Sequence, residues 1–530
     1  MVFNLLDDPW IPIVRGDGSA ADCGLRELFG EAPRIAELNP GSPLESAAVL
    51  RLVLAIVYRV FGNPSESWWQ ETWERGSFDL KVLEDYLECW RGRFNLFDEE
   101  KPFFQQGVLK LKQSKPLSFF NFADSGTNNT SHFSHSIDQE PPRAFDPATA
   151  ARLLLTYIYF SPNAGRSETG YTENTPLADI YVYHARGEDL FQTIMLNLAH
   201  IPSSRVPHTT DDRPCWERDA WEPTKDRYAP KGISDYLTWP TRVVKLLPEH
   251  IGEGIVCRYC YRAHGISLVD ELYEPFTGYS KKTKGGEVTT YKWKFDKDRA
   301  VWRDSAALFA SIHLDDYLPP VQLDWLARFV SQGFLQGNRL YDLEISGYAK
   351  KTASQPTIYY WRRERLPLPL AYLDDERGPS LVNALSQALQ LAEDVGRALD
   401  YALLVMGRFL IRCALENPNQ KLGKEAEGEA KHLRDSFGAG PRYWVSLETP
   451  FRRMLVDIPD DADGAIERWA LILRKESEQA FNLAAAAAGT SARALKASTK
   501  ARGVFKAKLY SKENGIFRDT HINEKEDNHA

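Results

Sequence analysis

The sequence lacks the motifs that mark the common enzyme classes. It contains no Walker A loop, no G-x-S-x-G elbow, no H-E-x-x-H pair and no dinucleotide-binding fingerprint. The glycine-bearing stretch at residues 163–170 is not a phosphate-binding loop, because no Gly-Lys-Ser/Thr follows it. These absences argue against the corresponding nucleotide hydrolases, esterases, metalloproteases and dehydrogenases.

Long uncharged apolar runs and a cysteine framework are also missing. The most apolar early stretch, residues 47–61, is interrupted by Arg51 and Arg59, so we predict no membrane-spanning helix. The first residues do not have the charged and apolar regions of a signal peptide. Six cysteines in 530 residues, four of them scattered, do not form a disulfide framework. We therefore expect a cytoplasmic protein in a reducing compartment, with no membrane partner.

The net charge of −8 does not suggest nucleic acid, but the basic residues are clustered. Residues 281–294 contain five lysines and one glutamate, and residues 350–365 contain five basic residues and one glutamate. Residues 490–512 contain seven basic residues and no acid. Each run is either a solvated face or part of a basic footprint for nucleic acid.

The sequence pattern changes near residue 368. With 530 residues, at least two domains are expected. The first part has short apolar runs, and helices are predicted at 46–61, 147–160 and 190–199. Asp146 is the predicted N-cap of the second of these helices, with Pro147 in its first turn. The later part predicts long helices at 382–415, 442–457, 465–483 and 491–509, with an exposed loop at 417–429. We predict an α+β protein: a mixed α/β domain (1–368), a four-helix bundle (369–512) and a flexible tail (513–530).

One C-x-x-C pair is half of a zinc site. Cys257 and Cys260 have the spacing, and His264 follows four residues later. The remote candidates for the missing ligands are His132, His135 and Cys215. The alternative is a pair of unligated thiols in a turn. The two histidines could also form an acid/base or metal pair, although loop histidines are more often polar surface.

Three loops combine Asn, Thr, Gly and Lys with aromatic residues. They lie at 125–133, 163–171 and 347–355. Short polar side chains and close backbone approach are used in minor-groove recognition and in clamping the DNA backbone. This composition is compatible with DNA binding.

Several motifs, taken together, resemble the CasA family, the large subunit of the type I-E CRISPR surveillance complex known as Cascade. They occur in the order of the family over residues 3–505 and include FNLLDDPWIP at 3–12, KPFFQ at 101–105, YHARGEDL at 183–190, LTWP at 237–240, Gly347-Tyr348 with Arg362-Arg363, and Tyr443-Trp444. Each motif is weak alone, but six in order are fairly specific.

The resemblance implies a mixed α/β N-terminal domain of unusual topology and a C-terminal four-helix bundle. It implies a subunit without catalytic activity that recognises the protospacer-adjacent motif in duplex DNA, helps to open the strands and provides a docking surface for the helicase-nuclease. The implied partners are the other Cascade subunits, the CRISPR guide RNA, the double-stranded target DNA and its displaced strand. The implied division of labour is that protein recognises a short motif and guide pairing recognises the rest. No cofactor is required, and structural zinc stays open.

The resemblance also implies DNA-binding residues. In the family's first DNA-contacting loop, the implied residues are Asn128, Asn129 and Phe133. In the family's glycine loop, the implied residues are Asn163, Gly165 and Arg166. In the family, a glutamine wedge inserts into the duplex beside the motif; the residues at its position here are Lys350, Lys351, Thr352 and Gln355. The candidate for the family's lysine finger is Arg262, with Lys281 and Lys282 as alternatives. For phosphate contacts on the bundle, the implied residues are Arg493, Lys496 and Lys500.

Two other functions remain open. A metal-dependent nucleic-acid hydrolase would use His132, His135, Cys257 and Cys260, and it predicts turnover by the isolated chain. A purely architectural subunit predicts assembly without recognition of a DNA motif.

Overall fold

A computed structural model shows a protein of mixed helix and strand. The described residues are 1–122, 140–163, 165–219, 223–252, 254–270, 272–284, 287–296, 298–350, 358–412 and 422–518. The predicted α+β class is confirmed, because short sheets and long helices occupy different parts of the chain.

The helices, in chain order, are α1 (Leu25–Gly30), α2 (Pro43–Phe61), α3 (Glu66–Arg75), α4 (Leu80–Cys89), α5 (Pro147–Phe160), α6 (Leu190–Asn197), α7 (Ile233–Leu237), α8 (Ser305–His313), α9 (Val321–Ser331), α10 (Gly378–Arg412), α11 (Lys424–Ser436), α12 (Ala439–Asp457), α13 (Ala462–Ala487) and α14 (Ala492–Tyr510). No helix within these described ranges is both long and apolar enough to cross a membrane.

The strands are β1 (Ile11–Arg15), β2 (Ala20–Cys23), β3 (Ile35–Leu38), β4 (Lys115–Pro116), β5 (Gly165–Arg166), β6 (Tyr171–Thr172), β7 (Val182–Arg186), β8 (Thr224–Tyr228), β9 (Arg242–Ile251), β10 (Gly254–His264), β11 (Ile266–Leu268), β12 (Tyr279–Lys284), β13 (Glu287–Lys292), β14 (Tyr317–Leu318), β15 (Leu340–Lys350) and β16 (Ile358–Pro369). They form small sheets with the orders β2-β1-β3, β4-β10-β9, β11-β8, β13-β12-β14, β16-β15-β7 and β5-β6.

The chain divides into two units. The first contains Met1–Ala300, Leu314–Gln336 and Leu340–Leu368; the second contains Val301–His313, Gly337–Arg339 and the chain from Pro369 onward. The second unit therefore includes two short segments that precede Leu368.

The core of the first unit is built around α2. The helix begins after Ser42, whose hydroxyl accepts a hydrogen bond from the Glu45 amide at 3.2 Å, and Pro43 occupies its first turn. It is apolar on nearly all sides, and almost every residue is buried. Helix α5 packs against it and begins as predicted, because the carboxylate of Asp146 accepts from the Thr149 amide at 2.8 Å.

Strands β9 and β10 form a long pair in the first unit. They are antiparallel, from the Ile251–Gly254 pair to the Arg242–His264 pair, with a bulge between Cys257 and Tyr259. The other edge of β10 pairs with β4. Further towards its start, β10 forms an isolated bridge between Cys257 and Phe145.

The second unit consists mainly of helices. The four long helices predicted from the sequence correspond to α10, α12, α13 and α14. Tyr443 and Trp469 are fully buried, and each donates a hydrogen bond to a carbonyl of α10, at Ala392 and Ala388 respectively. These two aromatic residues therefore fix α12 and α13 against the longest helix of the unit.

Helix α11 corrects the prediction of an exposed loop at 417–429, because residues 424–429 are helical. This helix is polar, and Ala430 is the residue that it buries fully. A Cβ atom built on Gly407 of α10 would lie 2.6 Å from the carbonyl oxygen of Ala430. The small side chains let the two helices approach closely, so α11 packs without the apolar stripe that periodicity detects.

Candidate nucleic-acid interface

Strand β10 carries the two cysteines of the predicted half-site. On a regular strand, side chains three residues apart face opposite sides of the sheet. The bulge before Tyr259 shifts this alternation of side chains, and both Cys257 and Cys260 are fully buried. Burial raises the pKa of each thiol to about 12, and for Cys257 the neighbouring Cys260 adds to the effect. The thiols lie in a strand rather than in a turn, and they are protonated at neutral pH.

The described surroundings of this pair do not supply a third zinc ligand. Among the residues that the structure describes, no three or more His, Cys, Asp or Glu side chains are grouped to hold a metal ion. Nε2 of His264 lies 2.9 Å from the Thr224 carbonyl instead. Zinc in structural sites is held by four ligands, with thiolates as the sulfur donors, and the described residues around this pair provide only the two cysteines.

The first prediction concerns zinc. We expect the purified protein to contain far less than one zinc ion per chain, and chelator treatment to leave its melting temperature unchanged. The measurements are elemental analysis and thermal unfolding with and without the chelator. As a control, Cys257→Ser should not change the metal content. Stoichiometric zinc that is lost in this variant would contradict the prediction.

Arg262, two residues after Cys260, is held between aromatic rings. Its Nη1 donates a hydrogen bond to the hydroxyl of Tyr157 at 3.1 Å. The centroids of the Phe119 and Tyr157 rings lie 5.3 and 5.8 Å from the centre of the guanidinium. Phe120 stacks on Tyr157, with the centroids 3.9 Å apart and an angle of 8°. The arginine head is therefore held by the turn Leu117–Phe120, which follows β4, on one side and by α5 on the other.

A large cavity of about 710 Å³ opens beside this arginine. The charged residues that line it are Lys112, Lys115, Arg166, Arg262 and Glu168. Glu168, the one carboxylate among the described residues that line it, accepts hydrogen bonds from the backbone amide of Lys112 at 3.0 and 3.3 Å. Four cations around one carboxylate make the cavity attractive to a polyanion, although the whole chain is acidic.

The predicted glycine loop forms one wall of this cavity. Gly165 has φ of +83°, which favours glycine, and no atom lies within 4 Å of the position that its Cβ would take. The loop is closed by the amide of Gly165, which donates to Oδ1 of Asn163 at 2.9 Å. Open space beside a backbone in this conformation is suited to close approach by a ligand.

The loop is also attached to the end of β10. The hydroxyl of Ser167 accepts from the amide of His264 at 3.0 Å, and the hydroxyl of Thr169 donates to the carbonyl of the same residue at 2.7 Å. A Cβ at Gly170 would lie 3.1 Å from the His264 ring. The structure thus brings Gly165 and Arg166 close to Arg262, which is far from them in the sequence.

The two alternatives to Arg262 lie elsewhere in the first unit. Lys281 and Lys282 belong to the β12–β13 hairpin and do not line the cavity. The ammonium of Lys281 donates to the Asp315 carbonyl at 2.8 Å. That of Lys282 lies 5.5 Å from the centroid of the exposed Tyr291 ring. Of the three candidates, Arg262 is therefore the one that lines the cavity together with Arg166.

Several predicted residues lie outside the described residues. These are Asn128, Asn129, His132, His135, Phe133, Lys351, Thr352 and Gln355. Lys350 is the last residue of β15, and only its backbone is described.

The basic residues predicted on the bundle lie on α14 of the second unit. Arg493 and Lys496 are exposed. Lys500 is also exposed, and its ammonium lies 5.4 Å from the centroid of the Phe409 ring.

Lys112, Lys115 and the aromatic rings around Arg262 were not predicted from the sequence. The sequence could have indicated the lysines as a basic cluster, because residues 109–115 contain three lysines and no acid. It contains no pattern that distinguishes Tyr157 from the other apolar and aromatic residues of its helix.

Comparisons with known proteins identify relatives over nearly the whole chain. A family model described as CRISPR-associated protein Cse1 matches residues 4–480. The chain is 28% identical, over 517 residues, to the CRISPR-associated protein CasA/Cse1 of Thermus thermophilus, covering 93% of this chain and 95% of that protein.

Solved structures share the fold. The Cse1 structure from Acidimicrobium ferrooxidans is similar with a TM-score of 0.79 at 24% identity, covering 96% of this chain and 97% of that one. A chain of a CRISPR RNA-guided surveillance complex is similar with a TM-score of 0.71 at 20% identity, covering 95% and 99%.

Proposed function

Since the chain belongs to the CRISPR-associated Cse1 family, we propose that it is the large, non-catalytic subunit of an RNA-guided surveillance complex. One similar structure is a chain of such a complex, which supports this role. The partners would be the other subunits of the complex, the guide RNA and the helicase-nuclease.

The proposed task of the first unit is to recognise the protospacer-adjacent motif in duplex DNA and to begin strand opening. The observation that carries this proposal is the cavity beside β10, where Arg166, Arg262, Lys112 and Lys115 surround one carboxylate. Lysine and arginine side chains neutralise phosphates and position a protein on DNA, whereas contacts in the groove supply specificity. Gly165 directly precedes Arg166, and the space beside its Cα is open.

The loops outside the described residues complete the proposal. Phe133 and its neighbours Asn128 and Asn129 would contact the duplex, and Lys351, Thr352 or Gln355 would act as the wedge at the base step beside the motif. Unstacking one base step costs a few kcal/mol of free energy, and pairing between the guide and the target strand offsets this cost. The displaced strand would then lie along the basic residues of α14.

The second prediction tests this function directly. We expect the chain, together with its guide-RNA complex, to bind duplexes with the correct flanking base pairs more tightly than duplexes that differ only there. We expect no strand cleavage by the chain itself. The measurement is duplex affinity at one stated salt concentration, with strand integrity followed on a denaturing gel.

Each alternative function has its own outcome in this experiment. Metal-dependent cleavage by the isolated chain would establish the hydrolase and return attention to His132, His135 and the cysteine pair. Assembly with equal affinity for all flanking sequences would establish a purely architectural subunit. The described geometry does not favour the hydrolase, because the thiols of Cys257 and Cys260 are buried and burial raises their pKa to about 12.

A further inference from the structure

Two lysines of α14 lie over two aromatic rings of α10. The ammonium of Lys508 lies 4.9 Å from the centroid of the Tyr401 ring, and that of Lys500 lies 5.4 Å from the centroid of the Phe409 ring. As α10 runs from Tyr401 to Phe409, α14 runs from Lys508 back to Lys500, so the helices are antiparallel here. Two cation–ring pairs therefore mark the surface between these helices.

The two pairs are connected by apolar side chains. On each helix they are eight residues apart, which is about 12 Å at the rise of an α-helix. Midway between them, Val405 and Val504 are half-buried. The Tyr401 residue is 44% exposed, and Phe409 is half-buried. We call this surface the α10–α14 seam; it consists of Tyr401, Val405, Phe409, Lys500, Val504 and Lys508.

The seam is positively charged. No acidic residue occurs in residues 490–512. Two carboxylates on α10 and α11 are paired with arginines: Asp400 lies 3.1 Å from Arg434, and Glu427 lies 2.9 Å from Arg408. Lys500 and Lys508 are exposed, and no carboxylate of the described chain lies within ion-pair distance of either. Their charge is therefore available to an anion.

Aromatic rings beside lysines on an exposed surface are the elements with which proteins bind single strands. Bases stack on the rings, and cations follow the phosphates. A lysine–ring contact at an exposed site is weak, so a base can replace the lysine over the ring while the ammonium moves to a phosphate. The distance of about 12 Å exceeds the rise of about 3.4 Å between stacked nucleotides, so bases on the two rings would not be adjacent stacked neighbours.

We propose that the α10–α14 seam binds single-stranded nucleic acid, with bases stacked on Tyr401 and Phe409 and phosphates held by Lys500 and Lys508. The inference rests on the proposed function, in which strand opening produces a displaced strand. It goes further by assigning residues of the bundle on which bases of that strand stack.

The experiment uses the full chain and a labelled oligothymidylate of about 16 nucleotides, a length at the upper end of single-strand site sizes. Affinity is measured over a series of salt concentrations. Tyr401→Ala is expected to weaken binding about tenfold without changing the salt slope, because stacking carries no charge. Tyr401→Phe should restore binding to within about twofold, since the ring is kept. Lys508→Ala should lower the slope by about 0.7, the value for one phosphate contact with a single strand.

Control variants lie on α13 of the same unit. Leu471→Ala removes an equally exposed apolar side chain, and Lys475→Ala removes an exposed lysine. Both should leave affinity and slope unchanged. Wild-type affinity in Tyr401→Ala, or no oligothymidylate binding by the wild type at low salt, would overturn the proposal. Tyr401→Ala with normal oligothymidylate binding but impaired assembly with the other subunits would assign the seam to a protein partner instead.

The outcome is separable from that of the proposed function. Motif preference is measured on fully paired duplexes, and Tyr401→Ala should leave it intact. If the wild type binds oligothymidylate through the seam but does not distinguish flanking base pairs in the duplex, the seam stands and motif recognition fails. If the wild type distinguishes flanking base pairs in the duplex but does not bind oligothymidylate through the seam, only the proposal for the seam fails.

Discussion

Replacing Glu274 with glutamine is expected to lower the free energy of unfolding of the first unit by about 3 to 5 kcal/mol. Its carboxylate lies 3.0 Å from Nη1 of Arg51, and both side chains are buried. The other carboxylate oxygen accepts from the Tyr236 hydroxyl at 2.9 Å. Glutamine keeps the size of the side chain but leaves the Arg51 charge without a counterion in the core. Urea unfolding would measure the change.

Two further variants test the cause of this loss. The double change Arg51→Met with Glu274→Leu removes both charges and should be less destabilising than Glu274→Gln alone, because no unpaired charge stays buried. The matched surface change is Glu31→Gln, whose partner Arg34 is exposed; it should cost no more than about 1 kcal/mol. If Glu274→Gln were as mild as Glu31→Gln, charge pairing in the core would not be the reason for burying Arg51.

The helices that could be predicted from the sequence are those with local signals. Helix α5 begins where Asp146 and Pro147 indicate a start, and α2 coincides with a long apolar stretch. Helix α11 could not be predicted, because its packing depends on Gly407 of another helix and not on its own pattern. Family membership was predicted from motifs spread over the chain, and it is confirmed by the match over residues 4–480.

The candidate site was only partly predictable, because its residues come together through tertiary contacts. Tyr157 and Arg262 are 105 residues apart in the sequence, and they meet because α5 packs beside β10. Lys115 reaches the same place through the pairing of β4 with Cys260. The bulge that buries both cysteines is likewise invisible in the spacing of C-x-x-C. The chemistry of each residue could be named from the sequence, but its neighbours could not.

Replacing Arg262 with alanine is expected to weaken binding to motif-bearing duplex about tenfold and to lower the slope of log affinity against log salt by about 0.9. The reason is the loss of one cation that points into the cavity beside β10. Tyr157→Phe is the informative companion, because it removes only the hydroxyl that accepts from Arg262. It should weaken binding by a smaller factor and leave the slope unchanged, since the charge remains while its position is less fixed. Tyr157 would then be a positioning residue and Arg262 the residue that contacts phosphate.

The matched control for this pair is Arg258→Ala on the same strand. The guanidinium of Arg258 donates to the Pro142 carbonyl at 2.6 Å and lies 3.5 Å from Glu249, and it does not line the cavity. Its removal should leave both affinity and slope as in the wild type. An unchanged slope in Arg262→Ala would show that Arg262 does not neutralise a phosphate, and the cavity would then have to act through Lys112, Lys115 and Arg166. A slope lowered equally by Arg258→Ala and Arg262→Ala would instead indicate a general effect of net charge, because a contact in the cavity distinguishes the two arginines.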